Sequence, residues 1–237
     1  MASEPASIDI RLSDRDVAVA LRRSPRARRI SLRLAPRTGA LELVLPPRAS
    51  LAAALRFAAA QTGWIERHAA RLVAPRRLDV GMVLPLGGEE HRVVHDRAAR
   101  GVVLDREARA IAVGGDPAHA PRRLRDFLMR HARAVVAPLA HEKAARLERR
   151  IARLSIRDSR TRWGSCSSGG SLSFTWRLAL TPGFVVDYLA AHEVAHLAEM
   201  NHGPDFWRLC AALCGGDSGP GRAWLRRNGP EILAFGL

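Results

Sequence analysis

Residues 181–204 read TPGFVVDYLAAHEVAHLAEMNHGP, and the fold class turns on this stretch. Thr181-Pro182 is helix-start chemistry, a capping hydroxyl followed by proline at the first helical position, and Phe184, Val185, Tyr188 and Leu189 carry the pattern on. The helix so launched holds His192-Glu193-Val194-Ala195-His196. A four-residue step is just over one turn, so both imidazoles leave the same face and can converge on one ion. Asn201 and Gly203-Pro204 place the helix end near Met200 and let the backbone bring His202 back toward the first two rings. Three neutral imidazoles with one open position make a Zn²⁺ site of the catalytic kind, in which a bound water ionises near neutrality. Glu193, beside His192, is placed to hold that water and take its proton, which is the chemistry of metal-assisted hydrolysis.

A closed structural zinc site would recruit a fourth protein ligand, usually a thiolate. Cys210 and Cys214 stand four apart among Phe206, Trp207 and Leu213, a spacing that reads as the packed face of a further helix. Glu199, three residues after His196, is either an acceptor for a ligand imidazole or a surface acid. Upstream, Arg162-Trp163-Gly164-Ser165-Cys166, a Ser167–Gly170 turn and an extended run Leu172–Leu178 read as strand, turn, strand. Leu124, Phe127, Leu128, His131, Val135, Leu139, Leu147 and Ile151 recur at helical steps from Pro121 to about Arg153, with Pro138 expected to kink or split the helix.

The first third is strand-rich. Ile30, Leu32 and Leu34 alternate with polar residues, Pro36–Gly39 is turn chemistry, and Leu41, Leu43 and Leu45 resume the alternation, which predicts a hairpin. Ser50 is the expected cap of a helix running to about Leu72 and ended by Pro75. Short strands are expected at 84–86, 92–94, 102–104 and 110–113, between glycines. No internal repeat is visible. The reading is an α+β chain: 1–14 without structure, 15–118 a β-rich region with one helix, and 119–237 a half with the HExxH helix and a small sheet.

With 237 residues, 47% of them hydrophobic and 26% charged, disorder across the whole chain is excluded. No run approaches the roughly 18 apolar residues of a membrane helix, and no secretory signal opens the chain. Three cysteines are too few for a disulfide framework, so a cytoplasmic setting is expected. The net charge of +15 is uneven: residues 121–162 hold 13 basic and 4 acidic side chains, residues 163–237 hold 5 and 6. Lys143 is the single lysine; all other cations are arginine, a bias that suits nucleotide compositional pressure as well as a polyanionic partner.

The Arg162–Cys166 block, the strand with Trp176-Arg177, His192-Glu193-x-x-His196 and Asn201-His202-Gly203-x-x-Phe206-Trp207 resemble the YgjP-like metallopeptidase family, a bacterial group near the SprT-like and WLM zinc proteases. Weaker similarities extend through Arg26–Leu34, Trp64-Ile65, Leu84–Gly87, Trp224-Leu225 and Gly229. The resemblance implies a zincin-like half with His192, His196 and His202 as zinc ligands, Glu193 as general base, and a substrate strand pairing along 174–178. Arg162 either stabilises an anionic intermediate or pairs with a carboxylate; Trp176, with Trp163, lines core or cleft; Tyr188, one turn before His192, packs in preference to stabilising an oxyanion. The ligand spacing equals that of the metzincins, but Glu199 replaces their glycine and no methionine follows Met200. A gluzincin would need Glu231, in a Gly/Pro-rich tail.

The expected function is a cytoplasmic zinc metallopeptidase acting on peptide or protein. Two alternatives stay open: a metal-dependent nucleoside-triphosphate phosphohydrolase, and a DNA-associated protease or basic nucleic-acid-binding module. Oligomeric state is not readable from the sequence.

Overall fold

The computed structural model describes residues 6–12, 16–34, 41–69 and 76–236. Among them are three small mixed sheets and six α-helices, an α+β architecture that divides into two compact units, one ending at residue 75 and the other spanning Arg76–Gly236.

The first unit comprises β1 (Ser7–Arg11), β2 (Asp16–Arg23), β3 (Ser31–Leu34), β4 (Leu41–Leu45), α1 (Leu51–Ala59) and α2 (Thr62–Ala69). Its sheet runs β1-β2-β4-β3, with β2 and β4 parallel and the outer pairs antiparallel. Residues 7–11, expected to lack structure, form β1 because Ile8 and Ile10 alternate with exposed neighbours and bury on Val19, Leu41, Leu43 and Leu45. The β3–β4 hairpin is as expected; its Pro36–Gly39 turn lies outside the described residues. Ser50 caps α1, its Oγ accepting from the Ala53 amide at 3.1 Å. The single helix expected after Ser50 is two, interrupted at Ala60-Gln61, where the weak helix formers Thr62 and Gly63 follow in succession. The end expected at Leu72–Pro75 lies outside the described residues.

The second unit opens with β5 (Val83–Leu86), β6 (Glu89–His95), β7 (Val102–Asp105) and β8 (Ala110–Val113), in order β5-β6-β8-β7. Leu84, Leu86, Val93, Ile111 and Val113 share one core with Leu124, Leu128 and Ala132 of the next helix and with Trp176 and Leu180. These strands therefore pack in the same compact unit as the histidine helix, Arg76–Gly236, with no break between 118 and 119 where the sequence suggested one. The two four-stranded sheets have the same strand order and the same antiparallel–parallel–antiparallel pairing, and each is followed by a helix that covers it. This repeat of topology was not visible in the sequence.

Helix α3 (Ala120–Arg146) runs 27 residues, about 40 Å, and spans two cores. Leu124, Leu128 and Ala132 enter the sheet core; Val136, Ala140 and Ala144 enter the core built around the histidine helix. Pro138 does not split it. Pro138 and Ala134, whose carbonyl it leaves unpaired, are both exposed, so that carbonyl is not buried without a partner.

After β9 (Arg153–Arg157), β10 (Gly164–Cys166) and β11 (Ser171–Thr175) form a three-stranded sheet in order β10-β11-β9. The strand expected through Leu178 stops at Thr175, and Trp176–Leu180 is a 3-10 turn with all five residues buried. Three helices close the unit: α4 (Gly183–Ala195), α5 (Pro204–Leu213) and α6 (Gly219–Leu233). Thr181 does not cap α4; its hydroxyl donates to the Leu178 carbonyl at 2.9 Å and closes the 3-10 turn, while Pro182 is the N-cap residue.

Candidate metal centre

Helix α4 is buried on nearly every side, packed by α3, α5 and α6. Gly221 of α6 lies so close that a Cβ there would meet the Tyr188 side chain at 2.5 Å. Held in this way, the C-terminal end of α4 presents His192 and Glu193, with His196 as its C-cap. The chain turns at Leu197–Glu199, earlier than the expected end near Met200, and brings His202 back from the segment before α5.

The three imidazoles converge. One ring nitrogen from each of His192, His196 and His202 lies within 4.8 Å of the others, and the Nε2 atoms of His192 and His202 are 3.2 Å apart. A tetrahedral ion bound at about 2.0–2.1 Å separates its nitrogen ligands by about 3.4 Å, so the trio fits one ion. His196 Nδ1 bonds to the Glu199 backbone carbonyl at 3.0 Å, and His192 Nδ1 faces the Tyr188 hydroxyl at 3.5 Å. Each contact leaves Nε2 for the ion. Burial, then the neighbouring rings of His196 and His202, hold His192 down to about 4, and burial likewise lowers His196. Neutral rings are the ligating form. His202 is exposed, so the cluster opens to solvent.

Phe206, on the first turns of α5, packs its ring 4.5 to 5.0 Å from all three imidazoles and forms the floor beneath them. Trp207 stands against His192 and His202, with the Arg222 guanidinium 4.1 Å over its indole. The sequence had assigned Phe206 only to a packed helix face; its place four residues after His202 was the available signal.

The Glu193 carboxyl is buried, and burial pushes it up to about 8. Strand β10 crosses directly over it: a Cβ on Gly164 would lie 2.4 Å from Glu193 Oε1. The Arg162–Cys166 block is thus a strand whose glycine admits this carboxyl, a role the sequence left unassigned. On the same side, burial and then Glu193 push the Cys166 thiol up to about 11. The profile of the YgjP-like metallopeptidase domain matches residues 28–228. The chain belongs to the YgjP-like metallopeptidase family. No curated protein and no solved structure matches it.

Not every expected site residue joins the cluster. Trp176 is fully buried in the sheet core, its indole nitrogen donating to Asp158 at 2.9 Å, and lines no cleft. The Glu199 side chain is exposed; its backbone carbonyl, not its carboxylate, holds His196. Arg162 is exposed in a groove that none of the histidines lines. Residues 174–178 offer no sheet edge: β11 is the central strand, paired on both sides, and among the described residues β10, which crosses Glu193, is paired on one side alone. Cys210 and Cys214 are free thiols of the α5 core, as expected. Among the described residues, no helix is long and apolar enough to cross a membrane.

Proposed function

We propose that this chain is a zinc-dependent peptidase of the cytoplasm, with His192, His196 and His202 holding the ion and Glu193 carrying the proton. The observation that supports this most directly is the convergence of three imidazoles, with one buried carboxyl next to them in the chain, in a family of metallopeptidases. An all-nitrogen donor set suits Zn²⁺ better than the oxygen-seeking Mg²⁺ of phosphohydrolases. When bound, the ion supplies Lewis-acid polarisation of the attacking water and the scissile carbonyl.

The remaining work falls to the protein. Tyr188 and the Glu199 carbonyl hold His192 and His196 in orientation. With an ion bound beside it favouring the ionised carboxylate, Glu193 would accept a proton from the attacking water and return it to the departing amine. The free edge of β10 offers backbone groups to an extended substrate, adding a strand to the β10-β11-β9 sheet beside Glu193. Three free cysteines accord with a reducing compartment.

The test is metal analysis with a peptide-hydrolysis assay on three proteins. Wild type should carry about one zinc per chain and cleave peptide; Glu193→Gln should keep the zinc and lose turnover by at least about a thousandfold; His196→Ala should lose both. An active Glu193→Gln protein overturns the assignment of the proton carrier.

A further inference from the structure

The outer face of the catalytic sheet, opposite the side that covers Glu193, is polar and cationic. Register sets Ser165 of β10, Ser173 of β11 and Ser155 of β9 side by side across the three strands. They point away from the core, since Leu172, Phe174 and Leu154 alternate with them and are buried. Arg153, Arg157 and Arg162 stand around this row, and all three are exposed. Together these side chains line a groove of about 590 Å³.

The groove has cations to spare. The Arg153 and Arg162 side chains make no ion pair or hydrogen bond among the described residues, and Arg157 contacts only the Ser155 hydroxyl, at 3.4 Å. Asp158, the one acid lining the groove, is already engaged by Arg177 at 2.7 Å, by the Trp176 indole and by Arg160. Three guanidiniums therefore face a floor of serine hydroxyls without a carboxylate left to answer them.

We infer that this face is a specificity subsite for acidic side chains of an extended peptide seated on the free edge of β10. The inference rests on the peptidase reading above and adds a substrate class to it. Directly opposed residues in a sheet share a face. A substrate residue opposite Gly164 thus points toward Glu193, and the residue opposite Ser165 projects on the same face as the serine row, at its β10 end, with Arg162 just before β10 and Arg153 and Arg157 two strands further in. Glutamate, aspartate or a phosphorylated side chain there meets the guanidiniums, whereas lysine or arginine meets like charge. A nucleic acid is the less suited polyanion. Single strands bind through exposed aromatic platforms, and the only ring lining this groove, Phe174, is buried.

The test uses the zinc-loaded full chain. A cleaved quenched-fluorescent peptide is remade with Glu, Gln or Lys at each position flanking the scissile bond. At alternate positions Glu should exceed Lys in kcat/KM by roughly tenfold, and the exposed double substitution Arg153→Glu/Arg162→Glu should reverse the order. Equal rates for Glu and Lys at every position overturn the subsite.

A second arm does not need cleavage. Fluorescence anisotropy on Glu193→Gln protein compares a labelled Glu-Ser repeat peptide, its Gln-Ser counterpart and a single-stranded oligonucleotide of equal charge. Tighter binding of the Glu-Ser peptide, lost in the double substitution, upholds the subsite even if no peptide is ever hydrolysed, in which case only the peptidase reading falls. Equal binding of the two peptides overturns it, as does an oligonucleotide that binds more tightly and is released by the same substitutions.

Discussion

Gly164 and Lys143 each occupy a place no other side chain fills. At Gly164 a methyl group would sit 2.4 Å from a carboxylate oxygen of Glu193. Real Cβ atoms do not approach so closely, so either β10 lifts or the carboxyl turns. Misplacement of a catalytic group by about 1 Å lowers turnover about a hundredfold. Gly164→Ala should therefore reduce kcat by roughly that factor while retaining metal, because no ligand moves; assay of turnover and zinc in parallel decides it, and near-normal kcat refutes the contact. Lys143, the single lysine, is buried with Nζ 2.6 Å from Asp187 and 2.8 Å from the Leu213 carbonyl, tying α3 to α4 and to the C-terminal end of α5. A compact ammonium suits a closed space among three helices. Lys143→Ala strips the cation from a half-buried carboxylate and an orphan helix carbonyl, and should lower stability by about 3 kcal/mol in urea unfolding. A loss below about 1 kcal/mol would mean that the pair contributes nothing net.

At the scale of elements, the sequence was legible wherever a period was intact. The strands β5 to β8, the hairpin β3–β4 and the histidine helix each carry a clean alternation or a helical step. Legibility failed where tertiary contacts set the backbone. The 3-10 turn Trp176–Leu180 looks like the continuation of a strand, yet it is fixed by Arg177, whose guanidinium bonds Asp158, the Ser159 carbonyl and the Phe235 carbonyl. These partners come from distant parts of the chain, so no local pattern announces them. Phe206 was missed for the same reason, its role being defined by three rings from other turns. Burial alone would raise the Asp158 carboxyl, but hydrogen bonds from Arg177 and Trp176 and the charges of Arg177 and Arg160 outweigh it and hold its pKa below the ordinary carboxylate range. A depressed folded-state pKa contributes stability that is complete above the unfolded value and lost as pH falls through the folded one. Wild type should thus lose Tm steeply below about pH 4, and Asp158→Asn, less stable at neutral pH, should show a flatter acid limb. Parallel acid limbs for the two proteins would remove Asp158 from the account.

Across the whole molecule, each unit is built on a four-stranded sheet of one strand order closed by a following helix, and the second unit extends further, into the elements that carry the histidine cluster. The repeat escaped the sequence because topology is conserved by pairing and not by side-chain identity: SLRL and LELVL stand where VVLD and AIAV stand in the second unit. The location of the histidines within this plan makes a regional prediction. All three ligand candidates lie in 192–202, bridging the end of α4 to the segment entering α5, and among the described residues the first unit supplies none. An ion that binds only the folded form stabilises what it joins by mass action, by about 4 kcal/mol at a thousandfold excess over Kd. Chelation should then raise hydrogen exchange in peptides covering 183–213, the segment the ion would otherwise clamp, while peptides from 16–69 keep their protection. Restoring zinc should reverse the change, and His202→Ala should mimic it without chelator. Uniform loss of protection in both units on chelation would show that metal holds the whole chain together, and no loss in either would show that the histidine cluster folds unaided by any ion.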